Sequence, residues 1–164
     1  MHPIVSTTNE GGDAMAKIKA ALARIRRAEV YVGVPESDAQ RTESGEMTNA
    51  GLMYLHTHGS PLQHIPARPV IEPALEAPDN RAPITNQLGD AARAALRQST
   101  REATEHLTQA GMLARNACVR WFTDSRNGWA PDSPETVKRK GSDRPLIDTA
   151  QLRRSIDFLV DEDK

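Results

Sequence analysis

Three histidines lie close together in the chain and could in principle ligate a metal ion. They are His56, His58 and His64. A His-x-His pair alternates faces in a strand and diverges by about 200° on a helix, so one ion cannot easily bind both rings. No Asp, Glu or Cys lies between positions 50 and 71 to complete a ligand set. We therefore expect loop or interface histidines, with no metal and no cofactor.

Nucleophilic catalysis has no better support in the sequence. The chain lacks a nucleophile elbow and a Gly-rich phosphate loop, which are the patterns that place a nucleophile or bind phosphates. The one cysteine, Cys118, excludes an internal disulfide and lies in a helical pattern, which favours a buried core residue. We expect a protein that is not an enzyme.

Two basic clusters could contact phosphates. One consists of Arg24, Arg26 and Arg27, and the other runs from Lys138 to Lys140. Such clusters are more often solvated helix faces, or pair with carboxylates of a partner. The formal net charge of −1, from 21 basic and 22 acidic residues, gives no overall attraction to nucleic acid or anionic membrane.

Trp129 stands beside Pro131 in a polar, proline-rich stretch with no obvious core to enter. We predict that it anchors an interface, because Trp and Arg dominate binding energies. The alternative is that its side chain folds back on the domain. We further predict that Arg68 meets a carboxylate or a backbone carbonyl. The interface candidates are Trp129, Pro131, Lys138, Arg139, Lys140, Arg68, Arg153 and Arg154.

The first half of the chain contains several elements that would position these residues. Residues 1–13 are polar and predict a flexible arm, followed by a helix over 14–27. Residues 29–34 alternate and predict a strand with its three valines on one face. Residues 36–47 are polar and predict a long excursion.

A short helix capped by Thr48 and closed by Gly59 comes next. The prolines between His64 and Ile71 then predict an extended edge segment of the sheet, because proline cannot donate to a central ladder.

The segment from about 79 to 123 predicts one long helix with an alanine-rich seam. A helix of ~36 residues would span ~54 Å, which exceeds a compact domain of this size. We therefore expect it to pack against neighbouring subunits, with Gly111 as a point where it could bend or break.

Residues 124–146 predict a long connection. After it, Asp148 or Thr149 caps a helix through Leu152, and residues 156–160 form a closing strand.

These elements predict an α+β fold in which a small antiparallel-type sheet packs on one long helix with several short helices. A single domain would cover residues 14–164, with extended loops at 36–47 and 124–146. The six aromatic residues predict a thin core. Residues 1–13, 36–47 and 124–146 should be mobile in the free, largely monomeric protein and become ordered on docking. We see no membrane span or secretory signal and expect synthesis in a cytoplasm.

Three segments, taken together and in order, resemble the phage virion-morphogenesis proteins, which include the tail-completion proteins of Mu-like and lambda-like phages. Residues 49–59 resemble a short helix that ends in a His-Glu-Phe-Gly turn. Residues 65–75 resemble the signature Ile-Pro-Ala-Arg-Pro-Phe-Leu-x-Pro-Ala. Residues 129–156 resemble Trp-x-Pro-Leu-Ser followed by Pro-Leu-Ile-Asp-Thr-Gly-Gln-Leu-Arg-x-Ser-Ile.

The chain departs from the family pattern at several positions. Thr57 and His58 replace Glu-Phe, Val70 replaces an aromatic, Ala150 replaces Gly, and Asp132 stands where Leu is usual. These departures bear on the details of partner contact rather than on the fold.

The resemblance implies a structural subunit of a neck or tail-completion ring that joins the portal side of a head to a tail. Its partners would be further copies of itself in a hexamer or dodecamer, head-completion proteins on the portal side, and tail-terminator or tail-tube proteins. Passive contact with genomic DNA in the channel would also be possible, and the location would be the virion. The alternatives are a tail-terminator or minor tail protein and, from another class, a nucleic-acid-binding module that uses the clusters at Arg24 to Arg27 and Lys138 to Lys140.

Overall fold

The computed structural model describes residues 10–35, 47–146 and 150–162. These residues form helices and one two-stranded antiparallel sheet, so the α+β prediction is confirmed. The predicted arm is partly wrong, because residues 10–13 already belong to the first helix. In chain order the elements are α1 (Glu10–Arg27), β1 (Glu29–Gly33), α2 (Asn49–His58), α3 (Ile71–Glu76), α4 (Pro78–Leu96), α5 (Thr100–Trp121), α6 (Pro134–Lys140), α7 (Gln151–Arg154) and β2 (Asp157–Asp161).

The predicted single long helix is in fact a helical hairpin. Helix α4 ends at Leu96, and the chain turns through Gln98, whose φ of 63° lies in the left-handed region, before α5 begins at Thr100. The two helices pack along their alanine-rich faces, where Ala94 and Ala103 are buried. The alanine seam is therefore covered within the chain. The alanine seam therefore no longer argues for contacts with neighbouring subunits, and such contacts stay a prediction.

Helix α5 passes through Gly111 without a break, so the chain reverses at Gln98 and not at this glycine. The glycine serves a close approach instead. A Cβ atom added there would lie 2.2 Å from Cδ2 of Phe158, on strand β2. The absence of a side chain lets the sheet sit directly on the helix.

The sheet pairs β1 with β2 in antiparallel register. Val32 is opposite Phe158 on the face that packs on α5, and Tyr31 is opposite Leu159 on the exposed face. The predicted edge segment around Ile65 does not join this sheet. Ile65 makes only an isolated bridge to Ser60, and residues 66–70 have no regular structure.

The main core lies where α2, α3, the end of α5 and α7 meet. Cys118 is fully buried within it, as predicted, and burial raises the pKa of its thiol to about 11. The cluster contains Met53, Val70, Ala74, Ala77, Cys118, Trp121, Phe122, Leu152 and Ile156.

One of the two predicted loops, residues 124–146, differs from its prediction. Residues 124–146 hold a short 3-10 turn at Ser125–Asn127 and helix α6, so this region is more than a loop. Residues 129–132 bond to Pro69 and Arg68 of the same chain, and order on docking stays a prediction. Residues 1–9, 36–46 and 147–149, which include Asp148 and Thr149, lie outside the described residues.

Candidate binding cleft

Helix α6 is short, but its sequence defines both ends. The Ser133 hydroxyl accepts a hydrogen bond from the Thr136 backbone N–H at 3.2 Å, and Pro134 occupies the first turn. Gly141, with φ of 68°, ends the helix. The last turn therefore places the Lys140 side chain close to Asp132, just ahead of the helix.

Asp132 is the centre of a buried charge cluster. Arg68 lies 2.9 Å from Oδ1, and the Lys140 ammonium lies 2.6 Å from Oδ2. The three side chains are 7%, 5% and 7% exposed for Arg68, Asp132 and Lys140. Two cations thus share one carboxylate away from bulk water.

Backbone carbonyls hold both cations in place. The Arg68 guanidinium donates to the carbonyl of Ala130 from Nε (3.1 Å) and Nη2 (2.8 Å). Lys140 donates to the carbonyl of Arg144 at 2.8 Å. The predicted contact of Arg68 with a carboxylate or carbonyl is confirmed, and both kinds are present. Buried ions require such partners, because desolvation costs several kcal/mol for each unpaired charge.

The cluster lies in the wall of a cleft of about 1110 Å³. The cleft is bounded by α2, residues 61–66, residues 131–133, α6 and the start of α7. His56 of α2 lines it together with His64. Burial lowers the pKa of His56, and the charge of Arg68 lowers it further, so this imidazole is neutral at neutral pH. Its Nδ1 atom is buried and has no hydrogen-bond partner.

The three histidines do not assemble a metal site. The His58 ring bonds through Nδ1 to the Tyr54 carbonyl at 2.9 Å and lies beside the Tyr54 ring. Over residues 10–35, 47–146 and 150–162 there is no group of three or more His, Cys, Asp or Glu that could hold a metal ion. No helix within these ranges is both long and apolar enough to cross a membrane.

Trp129 has a core to enter, contrary to the reasoning from sequence. Its indole N–H donates to the Pro69 carbonyl at 3.1 Å. Its ring meets Phe122 edge to face, with ring centroids 5.9 Å apart. The Trp129 side chain therefore folds back on the domain, which was the alternative to the predicted interface anchor. A contact with another protein through its exposed part stays a prediction.

The other interface candidates are divided between the cleft and the surface. Pro131 and Arg139 line the cleft and are exposed, whereas Lys138 is exposed outside it. Arg153 is turned inward and donates to the Val119 carbonyl at 3.0 Å, while Arg154 is exposed. The cleft thus brings together Arg68, Pro131, Arg139 and Lys140 but not the other candidates.

The basic cluster on α1 is partly neutralised. Arg24 contacts the Glu162 carboxylate at 3.2 Å, next to the Thr104 hydroxyl. Arg26 and Arg27 are exposed. Because Lys140 is committed to Asp132, both predicted basic clusters lose one cation to an internal carboxylate.

Asp132 and His56 are the cleft residues whose roles the sequence did not reveal. Asp132 stood out only as the acidic residue at a position where the resembled family has leucine. Its pairing with Arg68 could not be foreseen, since 64 residues separate them in sequence. The sequence predicted His56 to be a loop or interface residue, and it gave no sign that this histidine lies on α2 and lines a cleft with Arg68. Comparison of the chain with protein-family models, curated proteins and solved structures finds no match.

Proposed function

We propose that this chain is a structural subunit of a bacteriophage neck or tail-completion ring, joining the portal side of a head to a tail. The proposal starts from the three segments that resemble the virion-morphogenesis proteins. The observation that carries it is that these segments, which are separate in sequence, pack into one unit.

The core contains residues from all three segments. Met53 comes from the first segment, Val70 from the second, and Leu152 and Ile156 from the third; all four are buried in one cluster. If the three segments resembled the family by chance, there would be no particular reason for all of them to contribute to one core. If they are the segments that define one type of domain, we expect them to contribute to one core.

Polar contacts connect the same three segments. The Arg68 backbone N–H donates to the His56 carbonyl, which joins the second segment to the first. The Arg68 side chain donates to Ala130, and the Trp129 indole donates to Pro69, which join the second to the third. Arg68 and Trp129, which both belong to the resembling segments, thus each bond across to the other's segment.

A genetic experiment tests the proposal in the phage whose genome encodes the chain. A nonsense codon early in the reading frame should yield DNA-filled heads and separate tails in a non-suppressing host. The purified wild-type chain, added to the mixed lysate, should restore joined and infectious particles. Infectious particles that form without the chain, with its absence checked by mass spectrometry, would reject the proposal.

The nucleic-acid-binding alternative makes a different prediction. A module that uses the α1 and α6 clusters should bind DNA with an affinity that falls steeply as salt increases. Arg24 and Lys140 are already paired with carboxylates, which leaves Arg26, Arg27 and the two exposed cations of α6. Salt-dependent binding to duplex DNA that is lost when Arg26 and Arg27 are changed to Gln would favour this alternative.

A further inference from the structure

The cleft beside α6 carries more positive than negative charge. Among the described residues that line it, Arg68, Arg139 and Lys140 are cationic, and Asp132 is the one carboxylate. Buried charges in proteins are normally paired, because water no longer stabilises them. The surplus therefore indicates that the cleft suits an anionic group.

Arg68 and Lys140 line the cleft, and each keeps hydrogen-bond donors that have no partner among the described residues. Arg68 uses Nε and Nη2 for Ala130, Pro131 and Asp132, which leaves Nη1 without a hydrogen bond in the described part of the chain. Lys140 makes two contacts, to Asp132 and the Arg144 carbonyl, although an ammonium group has three donors.

A third polar group at the cleft also lacks a partner. His56 Nδ1 is buried with no hydrogen bond. Buried polar atoms without a partner are uncommon in native proteins, and each calls for an explanation such as a missing ligand. A carboxylic acid or carboxylate oxygen could accept a hydrogen bond from this nitrogen in one tautomer of the neutral ring.

The rest of the lining narrows the class of ligand. Leu52, Ile65 and Leu146 lie among the polar groups, so a bound segment would meet apolar surface next to the charges. At about 1110 Å³ the cleft is much larger than a single inorganic anion requires. A nucleic acid strand would need a row of exposed cations for successive phosphates, whereas Arg139 is the one exposed cation among the described lining residues.

We propose that this cleft binds an acidic peptide segment of a partner protein, with one carboxylate bound by Arg68, Lys140 and His56. Apolar side chains next to that carboxylate pack against Leu52 and Ile65. The inference rests on the charges and unpaired donors of the cleft, and it does not depend on the role proposed above in a phage particle.

Binding of a model peptide to the full chain tests the site. The probe is a short fluorescent peptide that alternates glutamate and leucine, and the comparison peptide replaces every glutamate with glutamine. The acidic peptide should bind with a Kd below about 1 mM, as for a weak peptide interaction, and the glutamine peptide at least tenfold more weakly. In NMR spectra the ring signals of His56 should shift, while those of His106, which bonds to Gln87 outside the cleft, should not.

Two neighbouring substitutions on α6 provide a matched pair. Arg139→Gln removes an exposed cation from the cleft and should weaken acidic-peptide binding about fivefold. Lys138→Gln removes an exposed cation of the same helix that does not line the cleft, and should change affinity less than about twofold. Both variants keep the buried Arg68–Asp132–Lys140 cluster intact, and thermal melting checks that both fold.

Several results would overturn the proposal. They are equal binding of the two peptides, no shift of the His56 signals, or equal effects of Arg139→Gln and Lys138→Gln. Competition by inorganic phosphate at the peptide's own Kd would identify a simple anion site. Tighter binding of a single-stranded oligonucleotide at the same signals would identify a nucleic-acid site.

Discussion

Replacing Gly111 with alanine tests whether the sheet depends on its close approach to α5. The new Cβ would lie 2.2 Å from Cδ2, 2.7 Å from Cε2 and 2.8 Å from Cγ of Phe158. Nonbonded carbon atoms prefer about 3.5 Å or more, so the ring must move by about 1.3 Å at its nearest atom. Contact with Cγ as well as the outer ring atoms means that rotation of the ring alone does not relieve the overlap.

The expected magnitude is a balance of two terms. Overpacking of this kind costs about 1–3 kcal/mol, and the severity of the contact favours the upper part of that range. Alanine in place of glycine within a helix recovers about 1 kcal/mol. We therefore expect Gly111→Ala to lower the free energy of unfolding by about 2 kcal/mol, which is a fall in Tm of roughly 4–8 °C for a chain of this size.

Gly89 in α4 supplies the control. An added Cβ there would meet only the end of the flexible Arg93 side chain, at 3.6 Å. Gly89→Ala should therefore raise the free energy of unfolding by about 0.5–1 kcal/mol. Urea denaturation followed by far-UV circular dichroism measures both variants. A Gly111→Ala variant as stable as Gly89→Ala would show that Phe158 moves freely, and the argument from close packing would fail.

Three further experiments test other parts of the structure. Trp129→Ala should lower the free energy of unfolding by about 2–4 kcal/mol, because a partly buried ring and its hydrogen bond are lost. An unchanged urea midpoint would show that the Trp129 side chain does not stabilise the fold and would favour the interface anchor. Asp132→Asn should lower the free energy of unfolding by about 3–5 kcal/mol, since it leaves two buried cations without a carboxylate. Lys140→Met should lower it much less, because the Arg68–Asp132 pair survives. Equal decreases in urea denaturation would contradict the surplus of positive charge. Burial raises the pKa of Cys118 to about 11 from an ordinary value of 9.0, so the stability that the neutral thiol contributes is complete below pH 9 and is lost as pH rises towards 11. At pH 8, iodoacetamide should label Cys118 only after denaturant is added. Rapid labelling of the folded chain would refute the burial.

Local patterns in the sequence predicted the elements whose signals are local. Alternating valines identified β1, and Thr48 and Gly59 marked the ends of α2, where the Thr48 hydroxyl accepts the Gly51 N–H at 3.0 Å. These inferences depend on backbone geometry within a few residues, which the sequence states directly. The prediction that Arg68 meets a carboxylate or a carbonyl is also confirmed, but the sequence did not identify its partners, Asp132 and Ala130.

Features that depend on distant partners were not predictable in the same way. Helices α4 and α5 both bury an alanine-rich face against each other, so the alanine spacing continues across the turn at Gln98. The periodicity therefore gives no sign that the chain reverses there. The turn contains no Gly or Pro, and a left-handed glutamine leaves no sequence signal. Likewise, the prolines at 66 and 69 correctly exclude a helix, but they do not reveal whether a neighbouring strand pairs with this segment, and within the described residues none does. The cleft depends on Asp132 meeting Arg68 across a long stretch of chain, which local patterns do not encode.

The pairing of β1 with β2 also has a consequence for the order of events during folding. The strands are far apart in the chain, with the helical hairpin of α4 and α5 between them. Closing so long a loop costs entropy, while the hairpin forms from neighbouring segments at little such cost. On a translating ribosome, α4 and α5 can therefore associate while Val30 and Val32 still lack their partner strand. Gly111 then lies on a formed helix before Phe158 emerges, and we expect β2 to pack against that helix and close the sheet as a late step.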